Sequence, residues 1–316
     1  MATVLITGGA GFIGRHCARE FLNNYWTVKL LDTKKIEEDD ELVISGCIPY
    51  VGDIQAIKSL ENAMSGCDAV VHLAALVSVP KSIEDPQSTF DVNEVGTRNV
   101  LRCASKMNVG NTIVASSAAV YGDHPDVPLK ESASLQFLSP YAESKAANER
   151  DVERHRNKGM NAIALRFFNV YGPGQHLSSG YASLIPTFVD AMLKGNSPTI
   201  YGDGTQTRDF IHVTDLAEAV FALADCDEKY DFPIANVASE SQISVNEVVE
   251  TINQCLKSTH KQKEIVPLYS EPREGDILHS FGSKSRLEEM INWKPKTEFK
   301  QGITSLIESL QRREVR

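Results

Sequence analysis

A glycine-rich turn near the N-terminus constrains the fold more than any other feature of this sequence. Residues 7–14 read Thr-Gly-Gly-Ala-Gly-Phe-Ile-Gly; they follow the apolar run Val4–Thr7 and open a predicted helix. Glycines allow a tight turn and let the backbone approach a pyrophosphate, while the helix N-terminus offers N–H groups to that anion. The turn therefore predicts a dinucleotide site. We expect these residues to contact the cofactor: Gly8, Gly11, Phe12, Ile13 and Gly14.

Short apolar runs alternate with helical stretches through the first half of the chain. The runs are rich in Val, Ile and Leu, which is typical of buried strands: Val4–Thr7, Thr27–Leu31, Ile48–Val51, Ala69–Leu73, Asn111–Ala115 and Ala162–Phe168. The helices predicted between them are Phe12–Asn23, Ala56–Met64, Phe90–Met107 and Tyr141–Asn157. This alternation predicts a Rossmann-type α/β fold, a doubly wound parallel sheet covered by helices on both faces.

The alternation becomes irregular after Phe168, where Tyr171-Gly172-Pro173-Gly174 indicates a turn. The predicted elements beyond it are helices near Ala182–Lys194, Asp215–Ala224 and Ile303–Arg313, strands near Thr199–Tyr201 and Phe210–Val213, and helices opened by capping boxes at Ser244-x-x-Glu247 and Ser285-x-x-Glu288. We therefore predict a nucleotide-binding domain in residues 1–170 and a smaller C-terminal α/β substrate lobe in residues 171–316. Some helices of that lobe are expected to return to the first domain.

Composition and charge exclude several other classes of protein. The 316 residues carry a net charge of −10, which argues against nucleic-acid binding because phosphate neutralisation needs clustered Lys and Arg. No apolar run reaches the roughly 18 residues that a membrane span needs. The six cysteines are scattered without a C-x-x-C pair, so we expect no metal site, no disulfides and a reducing cytoplasm. The acidic run at residues 37–41 is interpreted as a solvated loop.

Asp32, at the end of the second predicted strand, indicates which dinucleotide the site prefers. It lies eighteen residues after Gly14, close to the offset of roughly 20 residues expected for the acid that binds an adenosine ribose. A carboxylate there accepts hydrogen bonds from both ribose hydroxyls and repels a 2′-phosphate. The sequence therefore favours NAD over NADP, although Lys34 and Lys35 weaken the exclusion slightly.

Tyr141 and Lys145 are candidates for the reacting groups because they lie four residues apart on one face of a predicted helix. A phenol with a pKa of about 10 is a poor base at neutral pH. A nearby ammonium and a positive nicotinamide would favour the phenolate and lower that pKa. Ser117, at the carboxyl end of a predicted strand, could bind the same substrate oxygen. Taken alone, the Tyr–Lys spacing is more often found in an exposed helix turn, and Ser117 could equally be a strand-terminal cap.

Together these motifs resemble the extended short-chain dehydrogenase/reductase family, and within it the UDP-glucose 4-epimerase branch. The resemblance covers nearly the whole chain. Its further motifs are Gly52-Asp53-Ile54, His72-Leu73-Ala74-Ala75, Ser117-Ala118-Ala119-Val120-Tyr121-Gly122, Tyr141-Ala142-Glu143-Ser144-Lys145, Arg166-Phe167-Phe168-Asn169-Val170-Tyr171-Gly172-Pro173, Tyr201-Gly202-Asp203-Gly204 and Thr207-Arg208-Asp209-Phe210. As an ordered set they are specific for nucleotide-sugar enzymes, and less specific for which one.

The resemblance implies a role for each matching residue. Ser117, Tyr141 and Lys145 would be catalytic, with Tyr141 as the base and Lys145 on the nicotinamide ribose. Further cofactor contacts would be Asp53, Ile54, Leu73, Ala74, Ala75 and Phe168. Substrate contacts would be Asn169, Arg208 and Arg273 at the diphosphate, Leu184 and Tyr201 at the uracil, Asp276 at the uridine ribose, and Ser280 beside the hexose.

The implied reaction is the NAD-dependent 4-epimerisation of a UDP-hexose, in which a 4-keto sugar turns over and takes the hydride back on its other face. Ser280 is small at a position where a bulky residue restricts family members to glucose and galactose. UDP-GlcNAc and UDP-GalNAc are therefore expected substrates as well. Glu274 replaces a proline that the family usually carries, which leaves the rigidity of that loop open. A homodimer is implied, through a four-helix bundle of Phe90–Met107 and Tyr141–Asn157.

Three alternatives remain open. An epimerase or decarboxylase of UDP-glucuronate would use the same catalytic residues. An NDP-hexose 4,6-dehydratase needs an acid and a base directly after the active hydroxyl, where this chain has Ala118 and Ala119. A non-catalytic NAD-binding regulator would keep the glycine turn but tends to lose the Tyr–Lys pair, which this chain retains.

Overall fold

The computed structural model describes residues 1–175, 183–260, 263–272 and 277–314. The strands in chain order are β1 Thr3–Thr7, β2 Thr27–Asp32, β3 Ile48–Val51, β4 Ala69–His72, β5 Asn111–Ser117, β6 Asn161–Phe167, β7 Asn169–Tyr171, β8 Thr199–Tyr201, β9 Thr207–Arg208, β10 Phe210–His212, β11 Ile234–Val237, β12 Ile243–Ser244, β13 Leu268–Ser270 and β14 His279–Ser280. The helices are α1 Phe12–Asn23, α2 Glu41–Ile44, α3 Ile57–Met64, α4 Val79–Glu84, α5 Pro86–Phe90, α6 Gly96–Lys106, α7 Pro140–Arg156, α8 Leu184–Leu193, α9 Val213–Ala224, α10 Val245–His260, α11 Ser285–Ile291 and α12 Phe299–Glu314. A π-helical turn, Asp91–Val95, precedes α6, and a 3₁₀ turn, Ala118–Tyr121, follows β5.

The central sheet confirms the predicted fold class. Within the described residues it has seven parallel strands in the order β11-β6-β5-β4-β1-β2-β3. The chain builds outward from β1 in one direction through β2 and β3, then returns to the other side with β4. The last residues of β1 and β4, Thr7 and His72, are register partners at this reversal. A ligand cleft is expected there, outside the carboxyl ends of the strands.

Both faces of the sheet are buried because successive side chains of a strand point to opposite sides. Val4 and Ile6 of β1 pack on one side with residues of α1 and α9, whereas Leu5 packs on the other side with residues of α3 and α6. This burial on two sides explains why the strands are almost continuously apolar in sequence.

The second half of the chain adds to the same layers. β11 pairs with β6 at the edge of the sheet, and α9 packs on α1. β11 was not predicted, because its four residues include a polar side chain, Asn236, in a run too short to identify from the sequence. The division into lobes at residue 170 stays a prediction; β11 and α9 are parts of the second half that join the sheet layers.

A second apolar core lies in the C-terminal half. Residues of α8, α10 and α12 enclose Tyr171, Ile200 and Phe210. Short strand pairings surround this core: β7 with β10, β8 with β13, and β9 between β12 and β14. None of the helices in the described ranges is both long enough and apolar enough to cross a membrane.

The two predicted capping boxes have different outcomes. The box at Ser244 is confirmed: its N–H donates to Glu247 Oε2 (2.7 Å), and the Glu247 N–H donates to Ser244 Oγ (3.1 Å). The box at Ser285 is wrong, because α11 already includes this residue and no side chain caps its start. The Ser285 hydroxyl instead pairs with the Ser283 hydroxyl at 2.7 Å.

Two further local predictions need correction. The helix predicted over Phe90–Met107 is helical from Phe90 to Lys106, but it starts earlier, at Pro86, and Asp91–Val95 form a π-helical turn that continues α5 into α6. The acidic run at residues 37–41 is not simply a solvated loop. Asp40 caps α2 by accepting the Leu42 N–H at 2.9 Å, and it also forms an ion pair with Arg15 at 2.9 Å.

Candidate active site

The glycine turn between β1 and α1 is shaped for a closely bound ligand. Gly8 has a φ of +72°, and a side chain there would come within 2.8 Å of the Ala74 backbone nitrogen. A side chain at Gly14 would overlap the Gly8 carbonyl oxygen. α1 begins after Gly11 with no side-chain cap, so its first N–H groups and its positive dipole end face the turn. This cradle fits the pyrophosphate of a dinucleotide. The half-buried Phe12 and Ile13 open the helix.

Asp32 lies at the end of β2 and joins the glycine turn to the segment that follows. Its Oδ2 accepts the Ala10 N–H (3.0 Å), and its Oδ1 accepts the Lys34 N–H (2.9 Å). Asp53 follows β3, and its carboxylate accepts the Gln55 N–H at 2.8 Å. The structure therefore brings both predicted adenosine contacts to the carboxyl edge of the sheet, next to the glycine turn.

Ile54, the other predicted adenine contact, is buried against α6. A side chain at Gly96 would come within 2.5 Å of the Ile54 side chain. The Ile54 carbonyl accepts a hydrogen bond from Asn99 Nδ2 at 3.3 Å. Packing against a glycine of α6 thus fixes the apolar wall of this part of the cleft.

His72 at the end of β4 is a buried polar residue whose role the sequence did not reveal. Its Nδ1 lies 2.7 Å from Thr7 Oγ1, and its Nε2 lies 2.8 Å from Thr97 Oγ1. Burial lowers the pKa of His72 to about 3, so the ring is neutral at physiological pH. Thr7 Oγ1 also accepts the Ala74 N–H at 3.3 Å. These hydrogen bonds hold the half-buried residues that are expected to line the cofactor: Leu73, Ala74 and Ala75.

Asn93, in the π-helical turn, fixes the continuation of the same loop. Its Oδ1 accepts the Leu76 N–H (2.8 Å), and its Nδ2 donates to the Leu76 carbonyl (2.9 Å). Nδ2 also donates to Ser144 Oγ at 3.1 Å. Ser144 lies on α7 between Tyr141 and Lys145. Asn93 therefore connects the predicted cofactor wall to the helix of the candidate reacting groups. The irregular turn that places it was not predictable from apolar periodicity.

The structure brings the three predicted catalytic residues together at the carboxyl end of β5. Lys145 Nζ donates to the Ala115 carbonyl at 2.8 Å and lies 5.9 Å from the centre of the Tyr141 ring. Ser117 interacts with the Tyr141 phenol through its side chain and accepts the Ala119 N–H at 3.2 Å. Tyr141 and Lys145 are only 9% and 4% exposed, so the alternative of an exposed helix turn is wrong.

The pKa expected for Tyr141 needs correction. Burial raises the pKa of Tyr141, and the hydrogen bond from Ser117 lowers it by less. Burial also lowers the pKa of Lys145 to about 8, against the opposing effect of Glu149. The protein groups alone therefore do not produce a phenolate at neutral pH. The positive charge of a bound nicotinamide is the remaining source of stabilisation for that anion.

A buried ion pair lies one helical turn beyond Lys145. Arg166 of β6 donates from Nε to Glu149 Oε1 (2.8 Å) and from Nη2 to Oε2 (2.7 Å). Ser116 Oγ also donates to Glu149 Oε1, at 2.6 Å. Arg166 stacks over the Tyr121 ring with its Cζ 4.6 Å from the ring centre. This network joins α7 to the ends of β5 and β6 directly behind the reacting groups, and no role was predicted for its members from the sequence.

Three of the predicted substrate residues converge in the C-terminal half. Arg208 of β9 and Ser280 of β14 are register partners. Asn169 Nδ2 donates to the carbonyl of Asp209, the residue after Arg208, at 2.9 Å. Phe168, a predicted cofactor contact, is buried directly before Asn169.

The other predicted substrate contacts are more dispersed or undescribed. Leu184 is the first residue of α8 and packs partly against the second apolar core. Tyr201 lies in a cleft that it forms with Tyr269 and Leu278, among other residues. Arg273, Glu274 and Asp276 lie outside the described residues. Among the residues that are described, no group of three or more His, Cys, Asp or Glu side chains is arranged to hold a metal ion.

The fold and the site define a class: a Rossmann-type dinucleotide-binding protein with a Ser–Tyr–Lys set at the edge of the sheet. The model of the NAD dependent epimerase/dehydratase family matches residues 4–238, and the chain belongs to that family. Its cofactor is NAD.

Similar proteins span the whole chain. A putative UDP-glucose 4-epimerase of Methanocaldococcus jannaschii is 33% identical, over 96% of this chain and 97% of that protein. A UDP-N-acetyl-alpha-D-glucosaminuronate decarboxylase of Bacillus cytotoxicus is also 33% identical, over 96% of both. A solved UDP-N-acetylglucosamine 4-epimerase from Methanobrevibacter ruminantium M1, in complex with UDP-N-acetylmuramic acid, is 34% identical, with a TM-score of 0.91 over 99% of both chains.

Proposed function

We propose that this protein catalyses the NAD-dependent 4-epimerisation of a UDP-hexose. The observation that carries the proposal is the position of Tyr141. Its buried phenol lies beside the Ser117 side chain and close to Lys145, at the carboxyl end of β5. The glycine turn lies two strands away along the same edge. The similarity to epimerases of two UDP-sugars supports this reaction.

Each reacting residue has a distinct task. Tyr141 Oη takes the proton from the C4 hydroxyl of the sugar and later returns it, while the Ser117 hydroxyl holds the same sugar oxygen. Lys145 keeps a positive charge beside the phenol and fixes α7 to β5 through the Ala115 carbonyl. Bound NAD would supply the acceptor for the C4 hydride and the donor that returns it, so the cycle would have no net redox change. The 4-keto sugar must turn over between the two transfers.

The diphosphate of the substrate is assigned to the residues around β7 and β9. The guanidinium of Arg208 and the amide of Asn169 are donors suited to phosphate oxygens. Asn169 is hydrogen-bonded to the Asp209 carbonyl, and Arg208 directly precedes Asp209 in the chain. The nearby residues Tyr171 and Phe210 belong to the second apolar core. Arg273 is proposed as the second diphosphate cation, and Asp276 as the contact to the uridine ribose. Leu184 and Tyr201 are proposed as neighbours of the uracil.

Ser280 is proposed to make room for an N-acetyl group on the hexose. It is half-buried in β14, directly opposite Arg208. Replacing it by tyrosine would fill the adjacent space, so Ser280→Tyr should abolish epimerisation of UDP-GlcNAc and UDP-GalNAc and spare UDP-glucose. Product chromatography with each purified sugar measures both effects, and Ser280→Ala serves as the matched control. Unchanged N-acetyl activity in the tyrosine variant would contradict this assignment.

Decarboxylation of a UDP-uronate is the second candidate reaction, because a relative with that name is as similar as the putative epimerase. Oxidation at C4 places a ketone β to the C6 carboxylate, so the same three residues could support loss of CO₂. Dehydration is disfavoured because Ala118 and Ala119 have no ionisable side chain in the 3₁₀ turn after Ser117. A non-catalytic regulator is disfavoured because the reacting residues are all retained.

A panel of substrates tests the function directly. Purified protein is incubated with UDP-glucose, UDP-galactose, UDP-GlcNAc, UDP-GalNAc and UDP-glucuronate, and the products are separated by chromatography. We expect interconversion of at least one epimer pair, lowered by about 10²–10⁴-fold in Tyr141→Phe. Release of CO₂ from the uronate without epimerisation would favour the decarboxylase instead. Bound NAD without turnover of any sugar would favour the regulator.

The oligomeric state and the compartment are also proposed here. α6 and α7 pack on each other, and Arg98 Nε lies 3.3 Å from Asp151 Oδ2 across that contact. The exposed side chain of Val95 lies directly before α6. We propose that this helix pair meets its copy in a four-helix bundle, which sedimentation would detect as a dimer. All six cysteines are free thiols, which supports a reducing cytoplasm.

A further inference from the structure

Asp209 is a completely buried carboxylate between β9 and β10. Its Oδ1 accepts hydrogen bonds from the Ser239 N–H (2.8 Å) and the Ser239 hydroxyl (2.7 Å). Its Oδ2 accepts the N–H groups of Glu240 (3.0 Å) and Gly282 (3.2 Å). The side chain therefore ties β9 to two separate loops, one after β11 and one after β14.

The backbone of Asp209 holds three of the proposed substrate residues. Its carbonyl accepts hydrogen bonds from the Asn169 N–H (3.0 Å) and from Asn169 Nδ2 (2.9 Å). Its N–H donates to the Ser280 carbonyl at 2.9 Å. Arg208 is its covalent neighbour. The proposed diphosphate donors and the residue proposed beside the hexose thus all depend on the position of one residue.

The bond from Gly282 extends this influence toward the cofactor side. A side chain at Gly282 would overlap the ring of Phe168, so the glycine backbone lies directly on that ring. The Asp209 carboxylate keeps the Gly282 backbone in this place. Asn169 directly follows Phe168 and is bound by the Asp209 carbonyl. The side chain and the backbone of Asp209 therefore act on two neighbouring residues.

Only a carboxylate satisfies this arrangement. Every partner of the side chain is a donor, and an ionised carboxylate offers acceptor positions only. Burial raises the pKa of Asp209 to about 6, against the four hydrogen bonds that favour the charged form. The group is therefore ionised at neutral pH. An asparagine has the same shape, but its amide nitrogen would face at least one of these N–H groups.

We propose that Asp209 is a positioning residue for the UDP-sugar: it holds Asn169, Arg208 and Ser280 in the one arrangement that binds the diphosphate and the hexose. The inference rests on the proposed function, since it needs these residues to contact the nucleotide sugar. Asp209 has no part in the proton or hydride transfer. Its loss should affect substrate binding more than the chemical step.

The test is the Asp209→Asn variant, with UDP itself as the probe. Without the charged acceptor the three binding residues can leave their arrangement, and restoring it on binding should weaken the affinity for UDP by about tenfold, the scale of one hydrogen bond to a charged group. We expect the Kd for UDP, measured by calorimetry, to rise by about that factor. The KM for the sugar should rise in parallel, with a smaller change in kcat.

Asp215→Asn is the matched control. Asp215 is also a buried aspartate that accepts two backbone N–H groups, from Lys296 and Thr297, each at 3.1 Å. It joins α9 to the segment before α12, and neither of these two partners is a proposed substrate residue. Its asparagine variant should lose stability to urea and keep the UDP affinity. Ser239→Ala removes a single hydroxyl from Asp209 and should give a smaller loss of UDP affinity, which keeps the test available if Asp209→Asn does not fold.

The outcomes separate this inference from the proposed function. If the wild-type protein binds UDP, and Asp209→Asn and Ser239→Ala both bind it with unchanged affinity, the role of Asp209 is overturned and the proposed function is not. Equal losses of affinity in Asp209→Asn and Asp215→Asn would also overturn it, because the effect would then be one of general stability. Wild-type protein that binds no UDP would overturn the proposed function, and the role of Asp209 with it.

Discussion

At the scale of single residues, the charge of Lys145 depends on a residue that touches no substrate. Burial lowers the pKa of Lys145 to about 8, and the Glu149 carboxylate opposes that effect. The other titratable groups facing Lys145 are Tyr141 on the same helix and the neutral His72 of β4. Glu149 is itself paired with Arg166 in the interior. A change at Glu149 should therefore be visible in the pH dependence of catalysis.

We predict that Glu149→Gln moves the alkaline limb of kcat to lower pH. Without the carboxylate the pKa of Lys145 falls below about 8, so the ammonium is lost at a lower pH as the pH rises. The variant also leaves the Arg166 guanidinium buried without its partner, at a cost of about 3–5 kcal/mol in unfolding free energy. Rate profiles between about pH 6 and 10 and urea titrations measure the two effects separately.

Glu61→Gln is the control, because Glu61 pairs with Lys106 on the exposed surface at 2.7 Å. Both the stability and the pH profile of that variant should match wild type, as expected for an exposed pair. A profile of Glu149→Gln that falls in height without moving along the pH axis would show that the buried pair has a structural role only.

At the scale of elements, the segment of residues 33–40 is attached to the glycine turn by an ion pair. Arg15 of α1 donates from Nη1 and Nη2 to the two carboxylate oxygens of Asp40, each at 2.9 Å. Ala10 and Phe12 line the same cavity as Lys34 and several other residues of the segment. The Arg15 guanidinium holds the pKa of Asp40 below its usual range, so the pair persists at neutral pH.

We predict that Arg15→Gln speeds the release of NAD by about two- to fivefold, since a bidentate pair at this partial exposure is worth up to about 1 kcal/mol. Release is measured by chasing bound NAD with a labelled excess. Asp40→Asn keeps the cap of α2 and should have the same effect, and the double variant should be no worse than either single one.

Arg19→Gln is the control for this prediction, because Arg19 pairs with Glu41 on the more exposed side of the same cluster. It should leave the rate of NAD release unchanged. Additive effects of Arg15→Gln and Asp40→Asn, or equal effects of Arg15→Gln and Arg19→Gln, would contradict a role for the bidentate pair.

Local sequence signals predicted an element well where the pattern that marks the element lies within the element itself. The alternation of apolar runs gave six strands of the sheet, and the Ser244 box gave the start of α10. The box at Ser285 failed because a neighbouring hydroxyl, that of Ser283, was the better partner for Ser285. β11 was missed because its strand character comes from pairing with β6, about 70 residues earlier, and not from its own sequence.

The candidate site divides in the same way. The residues that a motif marks, such as Gly14, Tyr141 and Lys145, were predictable because their spacing along the chain is itself the signal. The supporting residues were not. The partners of His72 and Asn93 are mostly distant in sequence, such as Thr7 with His72 and Ser144 with Asn93. Buried polar groups of this kind are identifiable only after the fold has brought their partners together.

At the scale of the whole molecule, the nucleotide-binding layers are completed by the second half of the chain. Phe21 of α1 packs edge-to-face on Phe221 of α9, with the ring centres 5.2 Å apart. Leu216 and Val220 of α9 belong to the same core cluster as Phe21 and the residues of β1. β11 covers the edge of β6. A chain ending near residue 170 would expose this apolar face and leave that edge unpaired.

We therefore predict that a fragment of residues 1–170 does not fold cooperatively, although it contains the whole glycine turn and the Tyr–Lys pair. Loss of α9 exposes Phe21 and its neighbours to water, at about 25 cal/mol for each Å² of apolar surface. The fragment should bind a hydrophobic dye, lack a sharp urea transition and fail to retain NAD. A fragment of residues 1–240, which restores α9 and β11, should recover part of the transition, and the full chain is the reference. Cooperative unfolding and NAD binding by the shorter fragment would instead establish residue 170 as a true domain boundary.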